Sequence, residues 1–267
     1  MVLKLGVSGS SKLRVVALSE GLEPVFWAHV NKDLLDFHFF VYDWEFKRGQ
    51  TRILMALDEV DVVAGLMVVY MGCVVQVRGS REAVRLLLDQ LSVEEVMVQA
   101  PLGCEDVVVG RFPVFERKGT VILLFLRKGE GRFHVTVEPE KLSVGDAGEI
   151  AALMHEAYPE FWSVITAEGI EESFDEALWV GVRREGKLVA FGKAVVESSA
   201  GHVAWIATHA DYRNKGYATS ILSVLLREVL EVSSTAFIYV LSDNPTALHV
   251  YSGVGFKPYK RYFYLKT

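Results

Sequence analysis

The sequence predicts an α/β protein, of the α+β kind, in two domains whose cores mix strands with helices. Three observations carry this. The 267 residues suffice for one large domain or two of ordinary size. Apolar residues make up 51% and charged residues 23%, proportions that suit a globular protein with a substantial core. One order of segments (strands, a turn, a helix, more strands) occurs in both halves.

Residues 2–7 and 12–19 read as a short β element bent at the turn 8–11. Residues 24–40 read as helical, with Pro24 suited to a first turn and many aromatics to fill core. Residues 51–57, 60–70 and 73–77 read as successive strands, the last two joined by a tight bend at Met71 and Gly72. Gly79 and Ser80 introduce a helix over 81–91, with Ser80 as its N-cap. Residues 94–99, 106–109 and 120–126 are β-prone runs that complete this half. The charged, glycine-bearing stretch 128–132 is the best linker, which divides the chain into 1–131 and 132–267.

The order then begins again. Residues 135–137 read as a strand, and 147–158 as a helix with Ile150, Leu153, Met154 and Ala157 on one face. Residues 159–162 interrupt it, and Thr166 opens a second helix over 166–177. Residues 178–183 and 187–197 form a hairpin turning at Glu185 and Gly186. Residues 202–208 are an uncharged strand rich in β-branched and aromatic residues. A loop follows, and then a helix with Ala218, Ile221, Leu222, Leu225, Leu226 and Val229 in one apolar stripe. Residues 235–241 are a strand, and the alternating aromatic run 256–266 closes the sheet.

The loop HADYRNKG has a chemical use. The first turn of a helix leaves backbone N–H groups without partners, and their dipoles sum to a partial positive charge. A phosphate resting there gains hydrogen bonds. Gly216 lets a ligand approach the main chain, and Arg213 and Lys215 add charge. A diphosphate suits such a loop.

The run Arg213-Asn214-Lys215-Gly216-Tyr217-Ala218 resembles the Arg/Gln-x-x-Gly-x-Gly/Ala signature of the GNAT superfamily of acyl-CoA N-acyltransferases. Asn244-Pro245-Thr246-Ala247 after the next strand, and Tyr251 followed by Gly255-Phe256, extend the likeness. Ala210 stands where the family often has proline. The resemblance implies two GNAT-like domains, each a mixed, mostly antiparallel sheet flanked by helices, with acetyl-CoA as acyl donor, no metal, and a primary amine as acceptor. The N-terminal half lacks the signature spacing and the later Asn and Tyr. It reads as a degenerate GNAT-like copy, or as an unrelated α/β domain.

By the same resemblance, Arg213, Asn214, Lys215, Gly216, Tyr217, Ala218 and Thr219 would hold the diphosphate. The main chain of Ile206, Ala207 and Thr208 would pair with the pantetheine amides. Asn244 would serve the pantetheine arm, be a helix N-cap, or both. Tyr251 matches the tyrosine facing the leaving sulfur, with a core tyrosine as the alternative reading. Where many relatives carry a carboxylate base, His202 stands; it is a proton acceptor or a strand-edge residue. Glu160 is the second candidate base, and His155 and His209 are weaker ones. Tyr158, Phe161 and Trp162 either line the acceptor channel or pack at a helix end.

Two function classes follow: an acetyl-CoA-dependent N-acetyltransferase acting within 132–267, and a module that holds CoA without turnover. Net charge is −6 with pI about 5.7, which argues against a nucleic-acid surface. No apolar run approaches a membrane span of about 20 residues, and no signal-peptide core or cleavage site is evident. Cys73 and Cys104 are too few for a disulfide framework. The expected setting is the cytoplasm. The acceptor amine, the role of the first domain (brace, cleft wall or homodimer surface) and the oligomeric state stay open.

Overall fold

The computed structural model describes residues 12–162 and 165–267, apart from the side chains of residues 160 and 161. The expected strand at 2–7 lies outside the described residues. By internal contact the chain forms two compact units: residues 1–121 with 261–267, and residues 122–260. The expected boundary at 131/132 therefore falls inside the second unit, and the last seven residues pack in the first.

The first unit runs β1 (Arg14–Ala17), α1 (Glu23–Val30), α2 (His38–Phe46), β2 (Thr51–Leu57), β3 (Val63–Tyr70), β4 (Val74–Gly79), α3 (Arg81–Leu88), β5 (Met97–Pro101), α4 (Glu105–Arg111) and the start of β6 (Arg117–Arg127). Strands β1 to β5 are neighbours in sequence order, antiparallel except for the parallel pair β4/β5. One face packs Phe26, Val30, Phe40 and Trp44 of α1 and α2 against Ile53, Met55, Leu66 and Val68. The other packs Val84, Leu87 and Leu88 of α3 against Leu54, Met67, Val75 and Val98.

The second unit runs from the end of β6 through β7 (Glu140–Lys141), α5 (Ala147–Ala157), α6 (Pro159–Trp162), α7 (Ala167–Glu172), β8 (Leu178–Arg184), β9 (Lys187–Val195), β10 (Gly201–Thr208), α8 (Tyr217–Val232), β11 (Thr235–Leu241) and α9 (Pro245–Val254) to the first residues of β12 (Lys257–Lys266). Its sheet order is β7-β8-β9-β10-β11-β6, with β7 to β10 antiparallel and β10/β11 parallel. The stripe on α8 is buried as its period requires: Ile221, Leu222, Leu225, Leu226 and Val229 are fully covered, against Val189, Val203 and Ile238. On the opposite face Ile150 and Met154 of α5 pack with Trp179 and Phe191. Each unit is thus the mixed, mostly antiparallel sheet with flanking helices that the resemblance implies.

Several elements differ from expectation. Residues 24–40 form two helices, broken at 31–37. The β-prone run 106–109 is the helix α4. Its first turn carries Glu105 and Asp106, favourable at a positive helix end, and Arg81 grips Asp106. Residues 135–137 form no strand, and residues 159–162 make a helical turn rather than a simple break. The last strand does not close the sheet expected of it: Tyr262–Lys266 pair antiparallel with β5 of the first unit, while Ile122, Leu124 and Leu126 of β6 sit in the core of the second. Among the described residues no helix is long and apolar enough to cross a membrane.

Candidate functional site

The site begins where two parallel strands part. β10 pairs with β9 from His202 to Thr208, with Ala204 as the extra residue of a bulge between Val203 and Trp205. On its other edge β10 pairs with β11 at two positions only, Gly201–Ala236 and His202–Phe237. The edge of β10 from Val203 to Thr208 therefore faces away from any β11 partner and can pair with an extended ligand. Of the three residues expected to do so, Ile206 and Thr208 are half-buried and Ala207 is buried. The Thr208 hydroxyl oxygen is buried and finds no hydrogen-bond partner among the described residues.

At the end of β10 the chain makes a short 3-10 turn over Ala210–Tyr212 and enters α8 through two left-handed residues, Asn214 (φ 61°) and Gly216 (φ 78°). Gly216 is the N-cap of α8, and no side chain caps that end. The first amide bonded inside the helix is that of Ser220, to the Gly216 carbonyl at 2.9 Å. The amides of Tyr217, Ala218 and Thr219 thus form the donor set of an uncapped first turn. A Cβ at Gly216 would lie 2.8 Å from the Thr136 hydroxyl oxygen, so glycine is required by space as well as by φ.

Thr136 belongs to the segment expected as a strand, and two serines explain why it is not one. Ser220 and Ser223 are wholly buried on α8. The Ser220 hydroxyl oxygen accepts from Thr136 N at 3.0 Å and Val137 N at 3.3 Å; Ser223 accepts from His134 N at 3.0 Å, and its one proton lies between the Thr219 carbonyl at 2.7 Å and the His134 carbonyl at 3.1 Å. The segment's backbone is satisfied by a helix instead of a neighbouring strand. The signal was present in the sequence as two hydroxyls, three apart, inside an apolar stripe.

The charged loop residues are folded back on their own loop. Arg213 Nε donates to the Thr208 carbonyl at 3.3 Å, and Lys215 Nζ donates to the Asp211 carbonyl at 3.2 Å while lying over the Tyr212 ring. Arg213, Asn214 and Lys215 are exposed, and Ala218 and Thr219 half-buried. Tyr217 is turned inward: its hydroxyl oxygen accepts from Arg184 Nε at 3.0 Å. Its contribution to the site is therefore its main chain. His209 steadies the turn, its Nδ1 accepting from Asp211 N at 3.2 Å and its Nε2 lying 3.0 Å from Glu156 Oε1. That pattern puts the ring proton on Nε2 in the neutral form.

Asn244 and Tyr251 belong to the start and the body of α9. Asn244 caps α9, its Oδ1 accepting from Ala247 N at 3.0 Å, and its Nδ2 donates to the Tyr158 hydroxyl at 3.0 Å. Tyr158 packs edge-on against Trp162, and of the residues expected as channel lining it is Tyr158 that reaches the cap residue. Tyr251 is buried against Phe256. Burial, and next the nearby Tyr158, raise its phenol pKa above the ordinary value near 10.

The candidate bases are less concentrated. His202 sits at the last paired position before the strands part, its ring stacked on Phe237 with centroids 4.7 Å apart. β10 holds no carboxylate. Glu160 lies on α6, and its side chain is outside the described part of the structure, as is that of Phe161. His155 Nε2 is 2.6 Å from the Ile165 carbonyl, a structural tie within α5 and the following loop. One residue escaped the sequence reading: Lys193, buried in a cross-strand row, with its ammonium 4.7 Å from the Trp179 ring and 4.6 Å from the Trp205 ring.

Known proteins resemble this chain in fold. The family model described as the acetyltransferase (GNAT) family matches residues 148–256. A Drosophila protein of solved structure is 12% identical, with a TM-score of 0.71 over 94% of this chain and 97% of that one. A GCN5-related N-acetyltransferase from Sphaerobacter thermophilus is 13% identical, with a TM-score of 0.64 over 95% of each chain. A tandem GNAT protein from the clavulanic acid biosynthesis pathway is 14% identical, with a TM-score of 0.59 over 96% of this chain and 98% of that one. At these identities the likeness is one of fold, and it extends over both units. No curated protein matches the sequence.

Proposed function

We propose, from the match of residues 148–256 to the acetyltransferase (GNAT) family model, that the second unit is an N-acetyltransferase moving an acetyl group from acetyl-CoA to a primary amine. The observation that carries the proposal is the uncapped, glycine-opened start of α8, set at the end of a strand that leaves its parallel neighbour after two residue pairs. Three features fit the donor: amides at 217–219 without a capping side chain, a strand edge from Val203 to Thr208 that β11 does not pair with, and the unmatched Thr208 hydroxyl.

Bound there, acetyl-CoA would supply the thioester that the amine attacks. The amides of Tyr217, Ala218 and Thr219 would hold the diphosphate, with the helix dipole adding to the attraction. Arg213 and Lys215 would contribute positive charge while closing the loop, and Asn214 and Gly216 the left-handed turn that aims those amides. Main-chain groups of Ile206, Ala207 and Thr208 would pair with the pantetheine arm. The Asn244 amide is committed to Ala247 and Tyr158, so it shapes that wall through the pair rather than as a loose side chain.

Tyr251 keeps its proton throughout the working range because burial raises its pKa. It would donate a hydrogen bond to the departing sulfur and retain the proton, since a phenol is a weaker acid than a thiol near 8.5. The amine proton would pass to His202, directly or through water, and return to the thiolate, so that the products are an amide and free CoA thiol.

The test is calorimetric titration with acetyl-CoA, followed by thiol release with a panel of amines. Heat with thiol release supports the transferase. Heat without release across the panel supports a CoA-holding module, and absence of heat removes both.

A further inference from the structure

The first unit repeats the element order of the second, with β4, α3, β5 and α4 in the places of β10, α8, β11 and α9. Its parallel strands also pair briefly, at Val74–Met97, Val75–Val98 and Gln76–Gln99. Just beyond the last pair stands Arg78, almost wholly buried at 4% exposure. Its Nε donates to Asp36 Oδ1 at 2.6 Å, one terminal nitrogen to the Val77 carbonyl at 3.0 Å, and the other to Gln99 Oε1 at 2.7 Å and Gln76 Oε1 at 3.3 Å. The Tyr262 ring lies 3.8 Å from the guanidinium, and the Tyr262 hydroxyl donates to the same Asp36 oxygen.

The helix start differs as well. Ser80 Oγ accepts from Ala83 N at 3.3 Å, so α3 caps itself where α8 is left uncapped. Gly79 is pressed into neighbouring backbone: a Cβ there would lie 2.4 Å from the Ala64 carbonyl oxygen. In this unit the Val77 carbonyl at the strand edge and the Ala83 amide at the helix start each have a side-chain partner, Arg78 and Ser80.

We propose that Arg78 seals the cleft of the first unit, so that each chain takes up a single acyl-CoA, in the second unit. The identity of the ligand rests on the function proposed above; the seal does not. An incoming pantetheine arm would have to displace a guanidinium whose departure takes the counter-ion from a buried carboxylate, which is far more costly than opening a water-filled groove.

Hydrogen exchange of the full chain with and without CoA tests the first part. CoA is expected to slow exchange in residues 203–219 and leave 77–83 and 97–103 unchanged, with one CoA per chain by titration. Slowing at 77–83, or two CoA per chain, overturns the proposal. No slowing in either region refutes the acyl-CoA reading of the second unit while agreeing with closure of the first. Arg78→Ala tests the seal itself. Its melting midpoint is expected to fall by about 10 °C and to recover in part with millimolar methylguanidinium but not methylammonium; equal effects of the two ions overturn it. Should that variant not fold, Arg78→Lys keeps the charge and loses the fork, and exchange at 97–103 no faster than in the parent overturns the seal.

Discussion

The side-chain amide of Asn244 ties the start of α9 to Tyr158: its nitrogen donates to the phenol oxygen at 3.0 Å while its oxygen caps the helix through Ala247 N–H. One residue therefore fixes both a helix end and an aromatic wall of the proposed cleft.

Replacing it separates the two roles. Asn244→Asp keeps the capping oxygen and loses the donor. It should retain most of the stability while raising KM for acetyl-CoA. Asn244→Ala loses both, at about 1 kcal/mol for the cap alone. Thermal unfolding and KM measured on the pair decide it, and equal melting midpoints for the two variants would contradict the capping role.

Gly216→Ala should weaken acetyl-CoA binding by an order of magnitude or more. The left-handed φ costs a residue with a Cβ about 1–2 kcal/mol, and the new carbon meets the Thr136 hydroxyl at 2.8 Å. Adding Thr136→Ala should recover stability only in part, since it relieves the contact and not the backbone. An alanine variant that binds acetyl-CoA as tightly as its parent would sink the diphosphate site.

Tyr251→Phe should lower kcat by roughly 10- to 100-fold, at or below the lower end of general-acid effects because the proton is lent rather than given. The raised pKa fixes the sign of the pH dependence. Parent enzyme should show no falling limb from this phenol near pH 10, where an ordinary tyrosine would ionise. Unchanged turnover in the Phe variant across that range would remove Tyr251 from the chemistry.

Asp43 offers a pH test in the first unit. Burial raises its carboxyl pKa to about 7, from an ordinary value near 3.9. The folded chain then holds a proton that the unfolded chain has released. The associated stability is complete below about pH 4 and is lost as the pH climbs to about 7. His38, pushed down to about 4 by burial, works in the opposite sense over pH 4 to 6.5 and masks the effect. Asp43→Asn should therefore raise the melting midpoint more at pH 8 than at pH 5. An equal change at both values would mean that the carboxyl titrates normally.

What the sequence discloses is what local chemistry controls. The stripe on α8, the Ser80 cap and the glycine loop were legible because periodicity, capping and left-handed turns act over a few residues. The run Val107–Val109 misled because β-branched residues favour strands only until packing decides otherwise: Val108 is buried in a core shared with α3. The candidate site was legible as a list and not as a geometry. Asn244 and Tyr158 lie 86 residues apart, and nothing in either neighbourhood foretells their bond. The same holds for Arg78 and Asp36, a buried ion pair 42 residues apart.

The pairing of Tyr262–Lys266 with β5 gives the polypeptide a timetable. A ribosome that has released the first 121 residues has not yet made the outermost ribbon of their sheet, and β5 must wait with its hydrogen-bonding rim bare until residue 266 emerges. A bare rim of that kind invites pairing with foreign strands. Fragments cut after residue 131 should accordingly be prone to precipitate, and a peptide of residues 257–267 supplied in trans should rescue them.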